Sequence, residues 1–272
     1  VNPDVAADTH PYTKTGEKTA KFGVPFDEVV GLARRAAKEP CLRLRGLAMH
    51  IGSQITDVEP YRRGTAKLLE LVVAIRATGV TTLETLDVGG GLGVRYHDET
   101  EPDLSAFAQA VAPAVSAAGL TLLCEPGRFL VGNAGVLLTR VLYRKHAGGK
   151  DYVIVDAGMS DFVRPSHYHA YHEIVPLGDA RRPDEVVNVV GPICESGDFL
   201  ALDRRMPAVR DGEYLAVLGA GAYGFVMSST YNARPRPAEV LVDGGRFFVA
   251  RERETLDDLI RGERAEAAAW LS

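Results

Sequence analysis

Apolar stripes at helical spacing alternate with short apolar runs through the first half of the chain, and this alternation constrains the fold most. The stripes predict helices over residues 26–37, 61–75 and 104–115. The runs predict strands over residues 44–50, 83–88 and 120–124. Strands that alternate with helices are typical of βα units, so the sequence predicts a parallel sheet.

A polar or glycine-rich segment follows each predicted strand: His50–Gln54, Gly89–Gly93 and Glu125–Arg128. In a β/α barrel the same end of every strand carries the active-site loops, so we expect these segments on one face. Such a barrel takes about 250 residues as a rule, and the βα half here has about half that length. The sheet is therefore either small and open, or one part of a barrel.

The second half changes character near Asn133 and is typical of an all-β region. Loops rich in Gly, Pro and Asp separate predicted strands over residues 136–143, 152–155, 186–190, 214–218, 239–242 and 247–250. Thr255 and Asp258 have the spacing of a capping box, which predicts a final helix. We expect two domains: residues 1–133, built from βα units, and residues 134–272, rich in β-strands with a terminal helix.

Composition and charge exclude several classes of protein. Of the 272 residues 46% are hydrophobic and 25% charged, which excludes a disordered or collagen-like chain. No apolar run approaches the ~18–20 residues that span a bilayer, so we expect no membrane partner. The net charge of −5 argues against a general nucleic-acid binder. The three widely separated cysteines predict a reducing, cytoplasmic location and neither a disulfide framework nor a zinc ribbon.

Gly89–Gly93 offers backbone amides that a phosphate could approach closely, because glycine has no side chain to keep an anion away. The alternative is a flexible loop between a strand and a helix. The segment lacks the Gly-Lys-Ser/Thr of a P-loop and is not a complete dinucleotide fingerprint, so both interpretations stand.

Other polar residues also permit two interpretations each. Glu125 could keep a ring nitrogen protonated while Arg128 clamps an anion, or the two could form a surface ion pair. His50 could stack on a planar cofactor or act as an acid or base, although a lone histidine is more often structural. Cys194 could donate a proton or be an inert buried thiol, and Tyr223 could bind a phosphate or fill a turn.

Three histidines, His167, His169 and His172, raise the hypothesis of a metal centre. Their spacing does not place two ligands on one helical face, and no carboxylate or thiolate set accompanies them. We therefore expect a polar loop or the start of a helix there, and no metal.

Taken together, the order and spacing of these segments resemble those of the fold-type III pyridoxal-phosphate decarboxylases, most closely the members that act on diaminopimelate. The matching stretches cover almost the whole chain: 2–4, 10–12, 50–54, 87–93, 125–128, 156–159, 164–166, 170–173, 191–198, 221–224 and 231–236. The resemblance implies the C-terminal part of a TIM-like β/α barrel of the alanine racemase type, followed by a β-rich domain. It also implies pyridoxal 5′-phosphate as cofactor and a homodimer that shares its active sites across the interface.

The resemblance further implies a role for each cofactor-site residue. His50 stacks on the cofactor ring, and Glu125 pairs with its pyridine nitrogen. The cofactor phosphate is held by Ser53, Gly90, Gly91, Tyr223 and the loop Pro126, Gly127 and Arg128.

The implied substrate is meso-2,6-diaminopimelate, converted to L-lysine and CO₂ in the last step of lysine biosynthesis. Arg128, Arg164 and Tyr168 hold its distal carboxylate, with Tyr223 beside them. Cys194 and Glu195 reach into the partner's site, Cys194 as proton donor and Glu195 as a contact to the distal amine.

One departure from the family pattern is serious. The family's Schiff-base lysine lies near the N-terminus in an Ala-x-Lys-Ala-Asn-like context, which no lysine of this sequence shares. The chain also begins at Val1 without an initiator Met and lacks the early barrel strands of the family. We therefore expect an N-terminally truncated fragment that is inactive alone.

Two alternatives remain at this point. One is a sister decarboxylase that acts on ornithine, arginine or carboxynorspermidine. Two arginines, Arg128 and Arg164, suit a substrate with a second carboxylate and so favour diaminopimelate. The other is a non-catalytic regulator of the same fold, against which the retained Cys194, Glu195 and Glu125 argue.

Overall fold

A sheet of three parallel strands organises the first half of the chain in the computed structural model, which describes residues 1–7, 15–16, 18, 20–178 and 181–263. The strands, in the order β1-β2-β3, are β1 (Gly46–Ala48), β2 (Thr85–Gly90) and β3 (Thr121–Glu125). A 3₁₀ turn and helices accompany them: Phe26–Glu28, α1 (Val29–Ala36), α2 (Glu59–Ala77), α3 (Leu104–Ala117) and α4 (Gly127–Val131). The structure divides into unit 1, Val1–Gly132, and unit 2, Asn133–Ser272.

Unit 1 has its hydrophobic core between the sheet and the helices. Helix α2 contributes Tyr61, Leu68 and Ile75, which recur at helical spacing and are at most 1% exposed. Leu86 and Val88 of β2 belong to the same buried cluster. Removal of this apolar surface from water is the main force that fixes the helices on the sheet.

The carboxyl ends of the parallel strands bring the three polar segments together. Gly89 N donates to the Asp87 carboxylate at 2.8 Å, within the last residues of β2. Ile55 N donates to Gly91 O and Gly93 N donates to Ile55 O, each at 2.9 Å. The segment after β1 is therefore hydrogen-bonded to the glycine loop after β2.

Unit 2 is built on a mixed sheet that has six strands among the residues described, in the order β6-β9-β4-β5-β7-β8. Only the β5–β7 pair of this sheet is parallel. The strands are β4 (Leu137–Ala147), β5 (Lys150–Val155), β6 (Ile174–Pro176), β7 (Asp184–Val190), β8 (Phe199–Pro207) and β9 (Tyr214–Val217). Helix α5 (Arg164–Tyr168) lies between β5 and β6 in the sequence.

A separate antiparallel hairpin, β10 (Glu239–Asp243) and β11 (Arg246–Arg251), precedes helix α6 (Leu256–Ile260). Thr255 caps α6, and the reciprocal bonds of a capping box join it to Asp258. The hairpin carries exposed apolar side chains: Leu241 is 63%, Phe247 77% and Phe248 67% exposed.

The predicted elements of both halves are confirmed, with shifted ends. Strand β1 covers only Gly46–Ala48 of the predicted 44–50. Strands β6 and β8 and helix α4 were not predicted. At the three histidines a polar loop or the start of a helix was expected, and helix α5 ends there at Tyr168. The matched stretch 10–12 and the end of the chain beyond residue 263 lie outside the described residues.

Candidate active site

The glycine loop after β2 is enclosed by backbone on both sides. Gly89 and Gly91 have φ angles of +76° and +92°, which favour glycine. A Cβ on Gly89 would overlap Met49 O, and one on Gly91 would overlap Gly52 O. A Cβ on Gly90 would overlap Glu125 O at the end of β3. The sequence needs glycine at these positions because the ends of β1 and β3 approach the loop so closely.

His50 stands beside this loop and is held by it. Gly90 N donates to His50 Nδ1 at 3.3 Å, so the neutral imidazole carries its proton on Nε2. Thr15 Oγ1 donates to the His50 carbonyl at 2.8 Å. The side chain is exposed. The ring is therefore fixed at one edge and accessible elsewhere.

Two side chains hold the glycine loop in place. Gln54 Nε2 donates to Val94 O at 2.5 Å, and Val94 N donates to Gln54 Oε1 at 3.2 Å. Tyr61 OH donates to Gly90 O at 3.0 Å from within the core. Burial raises the pKa of Tyr61, so its hydroxyl stays a donor.

Arg128, at the start of α4, is buried and faces two hydroxyl groups. Its Nη2 donates to Ser53 Oγ at 2.9 Å, and its Nη1 donates to Tyr96 OH at 2.7 Å. Glu125 is exposed at the end of β3, where it pairs in register with Gly90.

Of the predicted residues, unit 1 therefore holds His50, Ser53, Gly90, Gly91, Glu125, Pro126, Gly127 and Arg128 around the ends of its three strands. The set offers an anion a cationic guanidinium, hydroxyl groups and a glycine loop without side chains. A planar group beside His50 would also face the carboxyl end of β3. This donor set fits a phosphorylated ring cofactor.

In unit 2, Arg164 opens helix α5 and is buried with only 6% of its surface exposed. Its Nε donates to His172 Nε2 at 3.2 Å, and its guanidinium lies 5.8 Å from the Tyr168 ring centroid. His167 packs on Tyr168, with ring centroids 4.6 Å apart. Among the described residues no three His, Cys, Asp or Glu side chains are grouped to hold a metal ion.

Cys194 and Glu195 project from the loop after β7, and both are exposed. Asp198 holds this loop: its carboxylate accepts from Met159 N and Ile193 N, each at 2.6 Å. Burial raises the pKa of Asp198, although both amide bonds oppose the rise. The alternative that Cys194 is an inert buried thiol is wrong, because the side chain is exposed.

Two exposed tyrosines of unit 2, Tyr231 and Tyr223, also belong to the candidate site. Tyr231 OH donates to Glu195 Oε2 at 2.7 Å, and this bond raises the pKa of Tyr231. Tyr223 is 41% exposed and has a φ of +58°, unusual for a residue with a side chain. No role was predicted from the sequence for Tyr96 or Tyr231, and His172 was considered only as a metal ligand. No motif spacing connects these residues with their hydrogen-bond partners.

The sequence of the chain was compared with family models and with known proteins. Residues 1–132 match the family model described as "Pyridoxal-dependent decarboxylase, pyridoxal binding domain". The diaminopimelate decarboxylase of Neisseria meningitidis serogroup A is 49% identical over 265 residues, which cover 97% of this chain and 65% of the relative. That of Aquifex aeolicus is 47% identical over 261 residues, 96% of this chain and 62% of the relative. Both units of the chain are similar to the pyridoxal-dependent decarboxylases.

Solved structures of the family agree with both units. The diaminopimelate decarboxylase of Helicobacter pylori complexed with L-lysine superposes with a TM-score of 0.92 at 41% identity, over 97% of this chain and 65% of that chain. The lysine/ornithine decarboxylase of Vibrio vulnificus complexed with cadaverine has a TM-score of 0.73 at 25% identity, over 79% and 58%. The chain thus spans less than two thirds of the length of these relatives, from 58% to 65%.

These findings confirm the fold class, part of a pyridoxal-binding β/α barrel followed by a β-rich region, and pyridoxal phosphate as cofactor. They also confirm the resemblance to diaminopimelate decarboxylases. No helix in the described part of the chain is both long and apolar enough to cross a membrane.

Proposed function

We propose that the chain is part of an enzyme that removes CO₂ from meso-2,6-diaminopimelate and yields L-lysine, a carboxy-lyase reaction of amino-acid biosynthesis. The observation that carries this proposal is the match to relatives named diaminopimelate decarboxylase at 47–49% identity across both units. Residues 1–133 would form the C-terminal portion of the pyridoxal-binding barrel, and residues 134–272 the β-rich domain.

Unit 1 would hold the cofactor. The glycine loop at Gly90 and Gly91, with Ser53 and the loop at Arg128, would bind the phosphate, and His50 would lie against the ring. The carboxylate of Glu125 would keep the proton on the pyridine nitrogen. Pyridoxal phosphate, when bound, supplies an electron sink for the electron pair left as CO₂ departs.

The substrate has a second carboxylate and a second amine, and the proposed contacts match both groups. Arg128, Arg164 and Tyr168 would bind the distal carboxylate, since guanidinium groups recognise carboxylates through paired hydrogen bonds. Glu195 would accept a hydrogen bond from the distal amine. Tyr231, bonded to Glu195, restricts where that carboxylate can point.

Proton delivery is assigned to Cys194. Its exposed Sγ–H would give a proton to the carbon that has lost CO₂, and the thiolate would regain one from water. We propose that Cys194 and Glu195 act in the partner's site of a homodimer, and that Tyr223 lies beside both phosphate and substrate. The free thiols Cys41, Cys124 and Cys194 support a cytoplasmic location.

The test compares this chain with the same chain extended by the in-frame sequence that precedes Val1 in its gene. We expect an Ala-x-Lys-Ala-Asn-like segment there, and CO₂ release from meso-diaminopimelate by the extended protein. The 272-residue chain alone should release none, because none of its lysines has that context. Arg164→Ala in the extended protein should impair use of diaminopimelate far more than use of ornithine.

Other outcomes would contradict the proposal. Release of CO₂ from ornithine or arginine, and not from diaminopimelate, would identify a sister decarboxylase. A separate start codon near Val1, with no activity on any of these substrates, would identify a non-catalytic regulator. Steady CO₂ release by the unextended chain would show that the missing lysine context is not needed.

A further inference from the structure

We propose that His172 is a positioning residue that orients Arg164 for the distal carboxylate of the substrate. The inference rests on the proposed function, because that function assigns Arg164 to the carboxylate. It adds a residue that neither the family model nor the names of the relatives assign.

The contacts of His172 fix its ring on three sides. The side chain is fully buried, with 0% exposed. Its Nδ1 lies 2.9 Å from Leu218 O, and its Nε2 accepts from Arg164 Nε at 3.2 Å. Phe162 packs edge-on against the ring, with centroids 4.6 Å apart and an interplanar angle of 75°.

These two hydrogen bonds specify the protonation state of the imidazole. A carbonyl oxygen can only accept, so Nδ1 must carry a proton that it donates to Leu218 O. The guanidinium Nε–H can only donate, so Nε2 must offer its lone pair. His172 is therefore the neutral Nδ1–H tautomer, and a protonated ring would face Arg164 with a second donor.

The bond determines how Arg164 can meet a carboxylate. Arginine binds carboxylates either side-on, through Nε and one terminal nitrogen, or end-on, through both terminal nitrogens. Because Nε–H is donated to His172, only the end-on approach remains. The bond also restricts a side chain that would otherwise lose rotamer entropy when it binds the carboxylate.

A matched pair of substitutions separates orientation from simple packing. The amide of His172→Gln reaches the position of Nε2 and can still accept from Arg164. The amide of His172→Asn reaches only the position of Nδ1, so it can keep the bond to Leu218 O and loses the acceptor for Arg164. Both replacements are polar and smaller than histidine. Because asparagine also lacks one methylene of glutamine, the Arg164→Lys background separates the lost acceptor from lost packing.

The probes are L-lysine and cadaverine, whose affinities are measured by titration calorimetry with pyridoxal phosphate present. They differ only in the carboxylate that decarboxylation leaves behind. We expect His172→Asn to weaken L-lysine binding about tenfold and to leave cadaverine binding unchanged. His172→Gln should stay close to the unsubstituted chain. In an Arg164→Lys background, where Nε–H is absent, His172→Asn should have no further effect.

NMR provides a readout that needs neither ligand nor activity. We expect a scalar coupling between Arg164 Nε and His172 Nε2 across the hydrogen bond, and nitrogen shifts of the neutral Nδ1–H tautomer. In the folded His172→Asn chain the Arg164 Nε–H signal should broaden or exchange with water, and in His172→Gln it should persist.

The outcomes distinguish this inference from the proposed function. If the unsubstituted chain binds L-lysine no better than cadaverine, the proposed substrate is wrong, and the coupling still decides whether His172 orients Arg164. If L-lysine is preferred but His172→Asn binds it normally, or the coupling is absent, His172 does not position Arg164. Equal loss in the Asn and Gln variants would likewise overturn the inference in favour of packing.

Discussion

Gly91 and Gly79 have nearly the same φ angle, +92° and +89°. Their surroundings differ: a Cβ on Gly79 would meet nothing within 4 Å, and one on Gly91 would overlap Gly52 O. The pair therefore separates the intrinsic cost of a positive φ from the cost of a steric overlap.

We predict that Gly79→Ala lowers the free energy of unfolding by about 1–2 kcal/mol, the cost of a left-handed conformation for alanine. Gly91→Ala should lower it by about 3–5 kcal/mol, because the strand ends must also move apart. Urea unfolding of the two variants measures the difference. Equal effects would mean that the backbone at Gly52 and Gly91 can move apart at little cost in free energy.

At the same scale, the hydroxyl of Tyr96 provides a test of the Arg128 site. Tyr96→Phe removes the acceptor 2.7 Å from Arg128 Nη1 and keeps the ring. We predict about a tenfold loss of affinity for pyridoxal phosphate, since Arg128 would be less well oriented. The same replacement at Tyr143, which is 51% exposed on β4, is the control and should have no effect. Binding is measured by equilibrium dialysis.

At the scale of elements, loops depend on side chains that bond neighbouring backbone. Gln54 both donates to and accepts from Val94, so it joins the segment after β1 to the loop after β2. Gln54→Glu keeps the shape but replaces the donor with an acceptor that faces Val94 O. We predict that it destabilises the chain at pH 7 by about 1–3 kcal/mol. Gln54→Met, whose side chain has neither an amide donor nor an amide acceptor, is the control. A Gln54→Glu variant as stable as the wild type would show that the hydrogen bond donated to Val94 O does not contribute to stability.

Glu213, just before β9, forms an ion pair with Arg182 from another segment of unit 2. Its carboxylate accepts from Arg182 Nη1 and Nη2 at 2.7 and 2.6 Å, and this pairing lowers the pKa of Glu213 to about 2. A lowered folded pKa means that the stabilisation is complete above the unfolded pKa and is lost as pH falls through the folded one.

We therefore predict that Arg182→Gln destabilises the chain at pH 6, and that the difference from the wild type shrinks between pH 4.5 and about 2. Denaturant unfolding at several pH values measures this. Arg205→Gln, at an exposed arginine on β8 of the same unit, is the control. A difference that does not change with pH would mean that Glu213 titrates normally.

Regular periodicity allowed most elements to be predicted, and its absence explains the rest. Helix α2 was predicted because Tyr61, Leu68 and Ile75 form one buried stripe. Strand β8 was missed because Asp203 interrupts it with a φ of +45° and donates to the Asn188 side chain from its amide. Strand β6 is only three residues long and ends at Pro176.

The candidate site was predictable where chemistry lies in contiguous motifs. The glycine loop and the segments at His50 and Glu125 belong to that class. The bonds of Arg128 with Tyr96, of Arg164 with His172 and of Glu195 with Tyr231 do not. Each depends on where tertiary structure places two distant or unremarkable residues, and no local pattern records that placement.

At the scale of the whole molecule, exposed apolar side chains favour self-association. The β10–β11 hairpin exposes Leu241, Phe247 and Phe248, each by more than 60%. Open sheet edges and apolar patches of this kind favour association between molecules.

We predict that the chain self-associates with rising concentration and that Phe247→Lys reduces this association, because it places a charge in the patch. Val226→Lys, at a residue 79% exposed outside the hairpin, adds the same charge and should have a smaller effect. Sedimentation velocity over a concentration series measures both. An unchanged concentration dependence in Phe247→Lys would show that the hairpin is not the surface involved.

The overlaps around the glycine loop also have a genetic consequence. The atoms that a new Cβ would strike at Gly89, Gly90 and Gly91 are main-chain oxygens of Met49, Glu125 and Gly52. Every amino acid has that oxygen, so no single replacement at the opposing position can make room. A selection for second-site suppressors of an alanine in this loop should therefore return true revertants, and few compensating substitutions elsewhere.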